Sequence, residues 1–166
     1  VVDGATAPVA LPADAEVDVG IERILTDAAA RRAFLDGGTR LVQDELNRKS
    51  GLGGMALRAG FRTLQAVRPD IVPAALDALL PAFADAVRGE VEAALAGEGL
   101  ITRFRDRAGP IADAMLTVTD ARAARAANRT VAGAYQALRG TARNHVVEAV
   151  PGVGRLLASL FERFPG

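Results

Sequence analysis

The stretch IVPAALDALLPAFADAVRGEV, residues 71–91, decides the fold, because Leu76, Leu80, Phe83, Val87 and Val91 recur in it at spacings of three and four. That period lines one side of an α-helix, whereas a strand changes side at every residue. Asp70 stands where a helix cap is wanted. The helix before it ends ahead of Pro69, since the residue preceding proline avoids the helical region. Pro81 falls inside the stripe, so either the helix kinks there or a new one begins with proline in its first turn.

The same alternation of charged and apolar residues runs outward in both directions. Upstream, Thr26 or Asp27 can cap a helix carrying Leu35, Gly38, Val42 and Leu46 on one face. Gly37-Gly38 interrupts it, as a turn between two helices or as a close helix crossing. Ser50-Gly51 is the next boundary, and Leu52, Met55, Ala59, Phe61 and Leu64 define the helix that follows. Residues 1–19 have no basic residue and no helical stripe. They read as a flexible or extended arm preceding a helical domain over 20–166.

Downstream, Ala96-Gly97-Glu98-Gly99 closes the deciding helix, Ile101 and Phe104 suit a short helical link, and Gly109-Pro110 opens another helix. In that helix Ile111, Met115 and Val118 form the apolar side. Beyond Asp120 the stripe passes to Ala124, Ala127, Val131, Ala134 and Leu138, about half a turn away. A break near Thr119-Asp120 or a continuous helix leaning on different neighbours explains the swap, and Ala121–Ala127 favours continuity because it is strong helix-forming sequence. Gly140-Thr141 then separates a short helix over 142–149 from a last amphipathic one over 153–164, with a turn or kink at Pro151-Gly152. The expected fold is all-α: a single-domain bundle of about five to seven helices, several kinked at proline or glycine.

Half of the 166 residues are apolar but only seven are aromatic, so the core is built from Leu, Val and Ala. No cysteine is present, which removes disulfides, thiolate catalysis and cysteine-bound metals. No apolar run reaches the roughly 18 residues of a membrane span, and the expected location is the cytoplasm. The zero net charge divides into about −5 over residues 1–100 and +5 over residues 101–166. That polarity suits an anionic partner or mutual pairing of the halves.

Arg48-Lys49-Ser50-Gly51-Leu52-Gly53-Gly54 imitates a phosphate-binding loop but has no upstream glycine and no feeding strand, so it reads as a helix–helix turn. His145 is the only histidine and lacks a second one to share a metal. Asp113, Asp120, Glu90 and Glu92 lack the histidine-containing pairs of di-metal bundles. Neither a metal nor a cofactor is therefore expected. Asn128-Arg129-Thr130 is a chance glycosylation triplet in a helix. The strongest polar feature is the ridge Arg122, Arg125 and Arg129, extended by Arg139 and Arg143, which suits a carboxylate or phosphate. Asp120 would orient Arg122 or cap the local helix. A single lysine, a single tyrosine and no tryptophan give no surface for nucleic acid.

Three segments resemble a known family: DELNRKSGLGGMALRAGF at 44–61, VRPDIVPAALDALLPAFADAV at 67–87, and ADAMLTVTDARAARAANRTVAGAYQALRGTARNHVVEAVPGVGRLL at 112–157. They are similar to an uncharacterised family of small all-helical actinobacterial proteins of unknown function. Its marks are a lysine-serine-glycine turn (Lys49–Gly51), an "IVP…LLP" helix (Ile71–Pro81), a "TDxRA" segment (Thr119–Ala123) and a "YxxLRG" segment (Tyr135–Gly140). The resemblance covers residues 22–157 and implies no activity. It directs attention to the turn at 49–54 and to Asp120 with Arg122, while the first 20 residues and Gly37-Gly38 depart from the pattern.

The functional expectation is a non-enzymatic helical protein, as a homodimer, that binds either a partner chain or a small apolar or anionic ligand in an aliphatic groove. Arg122 to Arg143 would stand at its mouth. One alternative is a small hydrolase or transferase using Asp120, His145 and arginines, which requires them to share a cleft. The other is peripheral membrane contact through residues 153–164.

Overall fold

The computed structural model describes residues 13–165, and among them the chain forms seven helices and no strand. They are α1 (Ala13–Thr26), α2 (Ala28–Arg48), α3 (Gly51–Val67), α4 (Ile71–Leu95), α5 (Leu100–Asp106), α6 (Ala108–Ala123) and α7 (Arg129–Arg163). Of the arm expected over 1–19, residues 1–12 lie outside the described residues, and from Ala13 the backbone is already helical.

The breaks fall where local chemistry supplies them. Asp27 caps α2, its Oδ1 accepting from the backbone N–H groups of Ala29 at 2.9 Å and Ala30 at 2.8 Å. At the turn into α3 Gly51 takes φ +69°, a conformation that favours glycine. Gly54 then lies so close to the Lys49 backbone that a Cβ there would come within 2.7 Å of its carbonyl carbon.

Two expectations about helix ends are corrected. The continuous helix favoured through Asp120 is broken, and the break lies not at Thr119-Asp120 but over 124–128, where Asn128 accepts from Thr130 N–H at 2.9 Å and Val131 N–H at 3.2 Å. The Asn128 cap starts a new helix more strongly than the alanines propagate the old one. Conversely, the last two helices expected beyond Gly140 are a single one: α7 runs unbroken through Gly140-Thr141 and through Pro151-Gly152. Packing on α1, α2, α3, α5 and α6 outweighs the propensity cost of its glycines and proline. Gly37-Gly38 likewise stays inside α2 and marks close crossings, with Leu156 over Gly37 and Leu76 over Gly38.

Pro81 also sits inside a helix. It removes the N–H that would bond to the Asp77 carbonyl four residues earlier. Arg31 of α2 takes up that carbonyl, donating Nη2 to Asp77 O at 3.2 Å while Nε donates to Asp77 Oδ1 at 2.7 Å.

Burial is uneven along the bundle. Phe104, Ile111, Val91, Val150 and Leu160 form a densely packed end with α1 and the second half of α7. The apolar side of 153–164 is spent there, since Gly154, Leu157 and Leu160 are buried. At the other end no residue of α4 before Leu80, and none of α7 before Val150, is fully buried, although both segments are rich in apolar side chains. No helix among the described residues is long and apolar enough to cross a membrane.

Candidate functional site

The loosely packed end holds a cavity of about 1180 Å³ that is partly open to solvent. Its wall is aliphatic and aromatic: Leu41, Val42 and Leu46 from α2, Phe61 and Leu64 from α3, Leu76 and Phe83 from α4, Leu116 from α6, and Tyr135, Leu138 and Val146 from α7. The cavity exists because α3 rests on α7 and α2 but does not close onto α4. Helix α3 runs antiparallel to α7: Lys49 meets Glu148 and Gly60 meets Leu138. That register carries Val67 to the level of Val131, at the start of α7. From Asn128 to His145, both in the wall, the cavity follows α7 for about 25 Å.

Each end of this length is polar. At the α6–α7 end Arg122 and Arg125 line the cavity, and neither guanidinium has a hydrogen bond or ion pair among the described residues. Both are exposed, as is Arg129, which does not reach the wall. The expected single-helix ridge is therefore corrected: Arg122 closes α6, Arg125 lies in the turn and Arg129 opens α7, because the chain breaks between them.

Arg139 and Arg143 do not extend that free charge. Arg139 clasps Asp120 with Nε to Oδ1 at 2.7 Å and Nη2 to Oδ2 at 3.0 Å, and Arg143 clasps Asp113 at 2.7 and 2.9 Å. Tyr135 also donates to Asp120 Oδ1 at 2.6 Å and shares a hydrogen bond with Thr119. Asp120 thus neither orients Arg122 nor caps a helix; it ties the end of α6 to α7. The Arg139 guanidinium first, and then the Tyr135 hydroxyl, hold its carboxyl below the usual carboxylate range.

At the other end stand Glu45, Lys49 and His145. Lys49, the only lysine, has a side chain just 11% exposed between the carboxylates of Glu45, at 3.4 Å, and Glu148. Burial, then the neighbouring Arg48 charge, lowers its pKa, while the two carboxylates supply the countercharge a buried ammonium requires. His145 reaches both the cavity and a polar cleft over Arg48 and Ser50, and its Nδ1 is buried without a partner. Burial first and the Lys49 charge second hold it below 6.5, so the imidazole is neutral near pH 7. Glu45 was missed as a site residue in the sequence. Its signal is a carboxylate placed on the apolar face of Gly38, Val42 and Leu46.

Asp120 and His145 do not share a cleft. Asp120 is outside the cavity wall, and its partner Tyr135 lies about 15 Å along α7 from His145. Among the described residues no group of three His, Cys, Asp or Glu side chains is arranged to hold a metal ion.

Residues 21–161 match the model of a family described as "Family of unknown function (DUF6918)", and the chain belongs to that family. No curated protein and no solved structure matches it.

Proposed function

We propose that this member of a family of unknown function binds a long acyl chain ending in an anionic head, a carboxylate or a phosphate. The chain would lie in the cavity along α7 and the head on Arg122 and Arg125. The observation that carries this reading is an apolar cavity of about 1180 Å³ with two arginines at its rim whose guanidiniums have no partner among the described residues. Drug-sized ligands occupy pockets of roughly 300–1,000 Å³, so the volume suits a long or two-chain lipid better than a small metabolite. Burying on the order of 300 Å² of acyl surface gains roughly 7 kcal/mol before ordering costs, which leaves the arginines to set the position and sign of the head group.

Native mass spectrometry of the purified chain, followed by solvent extraction, tests the proposal. The expected result is a bound acyl species that is released intact on denaturation. Exchanging Arg122 and Arg125 for Glu should weaken palmitate binding about tenfold or more while leaving hexadecanol binding and stability nearly unchanged. Equal loss of both ligands would sink the head-group assignment, and an empty protein that takes up neither would sink the acyl-binding reading.

A further inference from the structure

Helix α3 is apolar on both sides. Leu57, Phe61 and Leu64 face the cavity. On the opposite side Leu52, Met55, Ala56, Ala59 and Ala66 follow one another at helical spacing and are exposed, Leu52 to 84% and Met55 to 58%. A soluble bundle has no use for that second face on its own. Along its own stretch of chain the charge is of one sign: from Leu46 to Pro69 there are Arg48, Lys49, Arg58, Arg62 and Arg68 and no carboxylate. Arg48, Lys49 and Arg68 are paired with acids elsewhere, but Arg62 is exposed with no ion pair among the described residues. Arg122, Arg125 and Arg129, also without ion pairs, stand at the far end of the helix.

We infer that the outer face of α3 docks on an anionic lipid bilayer, with Leu52 and Met55 entering the acyl boundary and the arginines meeting the head groups. Exposed aliphatics beside Arg62, on a stretch of chain that carries no carboxylate of its own, are what an interfacial helix requires. The position adds to this, because a bilayer on the outer face lies about one helix diameter, roughly 10 Å, from the cavity. Lipid would enter or leave beside α3. The passage of lipid rests on the acyl-binding reading above, whereas the docking itself does not.

Co-sedimentation of the full chain with phosphatidylcholine vesicles, with and without phosphatidylglycerol, tests the inference. Binding should require phosphatidylglycerol and weaken as salt is raised. Leu52→Glu with Met55→Glu should reduce the bound fraction about tenfold, and Arg62→Glu several-fold. All three positions are exposed, so helicity and unfolding temperature should be unchanged. Wild-type protein that ignores phosphatidylglycerol vesicles, or a double variant that binds them as well as wild type does, overturns the inference. So does a wild-type dimer that the double variant dissolves in the absence of any vesicle binding. Uptake of cis-parinaric acid without vesicles, measured on the same proteins, separates the two claims: vesicle binding without uptake supports the docking face and defeats the acyl cavity.

Discussion

The pairing of Arg31 with the Asp77 carbonyl shows how one residue repairs a defect in another element. Pro81 frees that carbonyl, and Arg31→Ala would leave it without its donor, at an expected cost of about 1–3 kcal/mol in urea unfolding. In a Pro81→Ala background the helix supplies its own N–H, so the same arginine change should cost markedly less. Glycines divide in the same way. A Cβ at Gly154 would meet the Phe104 Cβ at 2.6 Å and the Leu100 carbonyl at 3.0 Å, so Gly154→Ala should destabilise by about 1–3 kcal/mol. Gly140 meets nothing within 4 Å, and Gly140→Ala should stabilise by about 0.5–1 kcal/mol. His145 governs mild acid. Its native pKa lies below 6.5, so the unfolded chain takes the proton more readily; stability is intact above about 6.5 and falls as the pH drops through the native value. Glu98, Asp113 and Asp120 are held below 4.5, 3.8 and 3.8 and contribute the same loss only in stronger acid. His145→Asn should therefore flatten the stability profile just below about 6.5.

At the scale of elements, α4 was legible from the recurrence of Leu76, Leu80, Phe83, Val87 and Val91, and α5 from the Gly99 and Gly109-Pro110 boundaries around it. The all-helical character followed from period alone. What local sequence did not carry was the balance between propensity and packing. Gly140 and Pro151 lie inside α7 because neighbouring helices hold it on several sides, whereas the favourable alanines of 121–127 give way to a turn once Asn128 offers a cap. The arginine ridge failed with that same break. Helix α3 shows another limit: Leu52, Met55, Ala59, Phe61 and Leu64 read together in the sequence, but only Phe61 and Leu64 turn inward, with Leu57, while Leu52, Met55 and Ala59 are exposed. A helix apolar on two sides does not announce which side is inside.

For the whole molecule, the zero net charge conceals a cationic end. Glu90 ties the two oppositely charged parts together through Arg103 at 2.7 Å and Arg107 at 3.3 Å, while Arg122, Arg125 and Arg129 stay unpaired among the described residues. One end of the bundle is packed for stability and the other holds space. A ligand that fills the space binds only the folded chain, so palmitate at about 100 times its dissociation constant should add roughly 2.7 kcal/mol and raise the unfolding temperature by about 5–10 °C. The central claim, that the cavity receives an acyl chain, is tested most directly by fluorescence titration of cis-parinaric acid into the wild type and into Ala142→Trp, whose indole would project from the α7 wall into the space. The account predicts saturable enhancement with the wild type, and its loss in the variant with the unfolding temperature of the free protein unchanged or raised. No saturable enhancement, or equal uptake by both proteins, would contradict it.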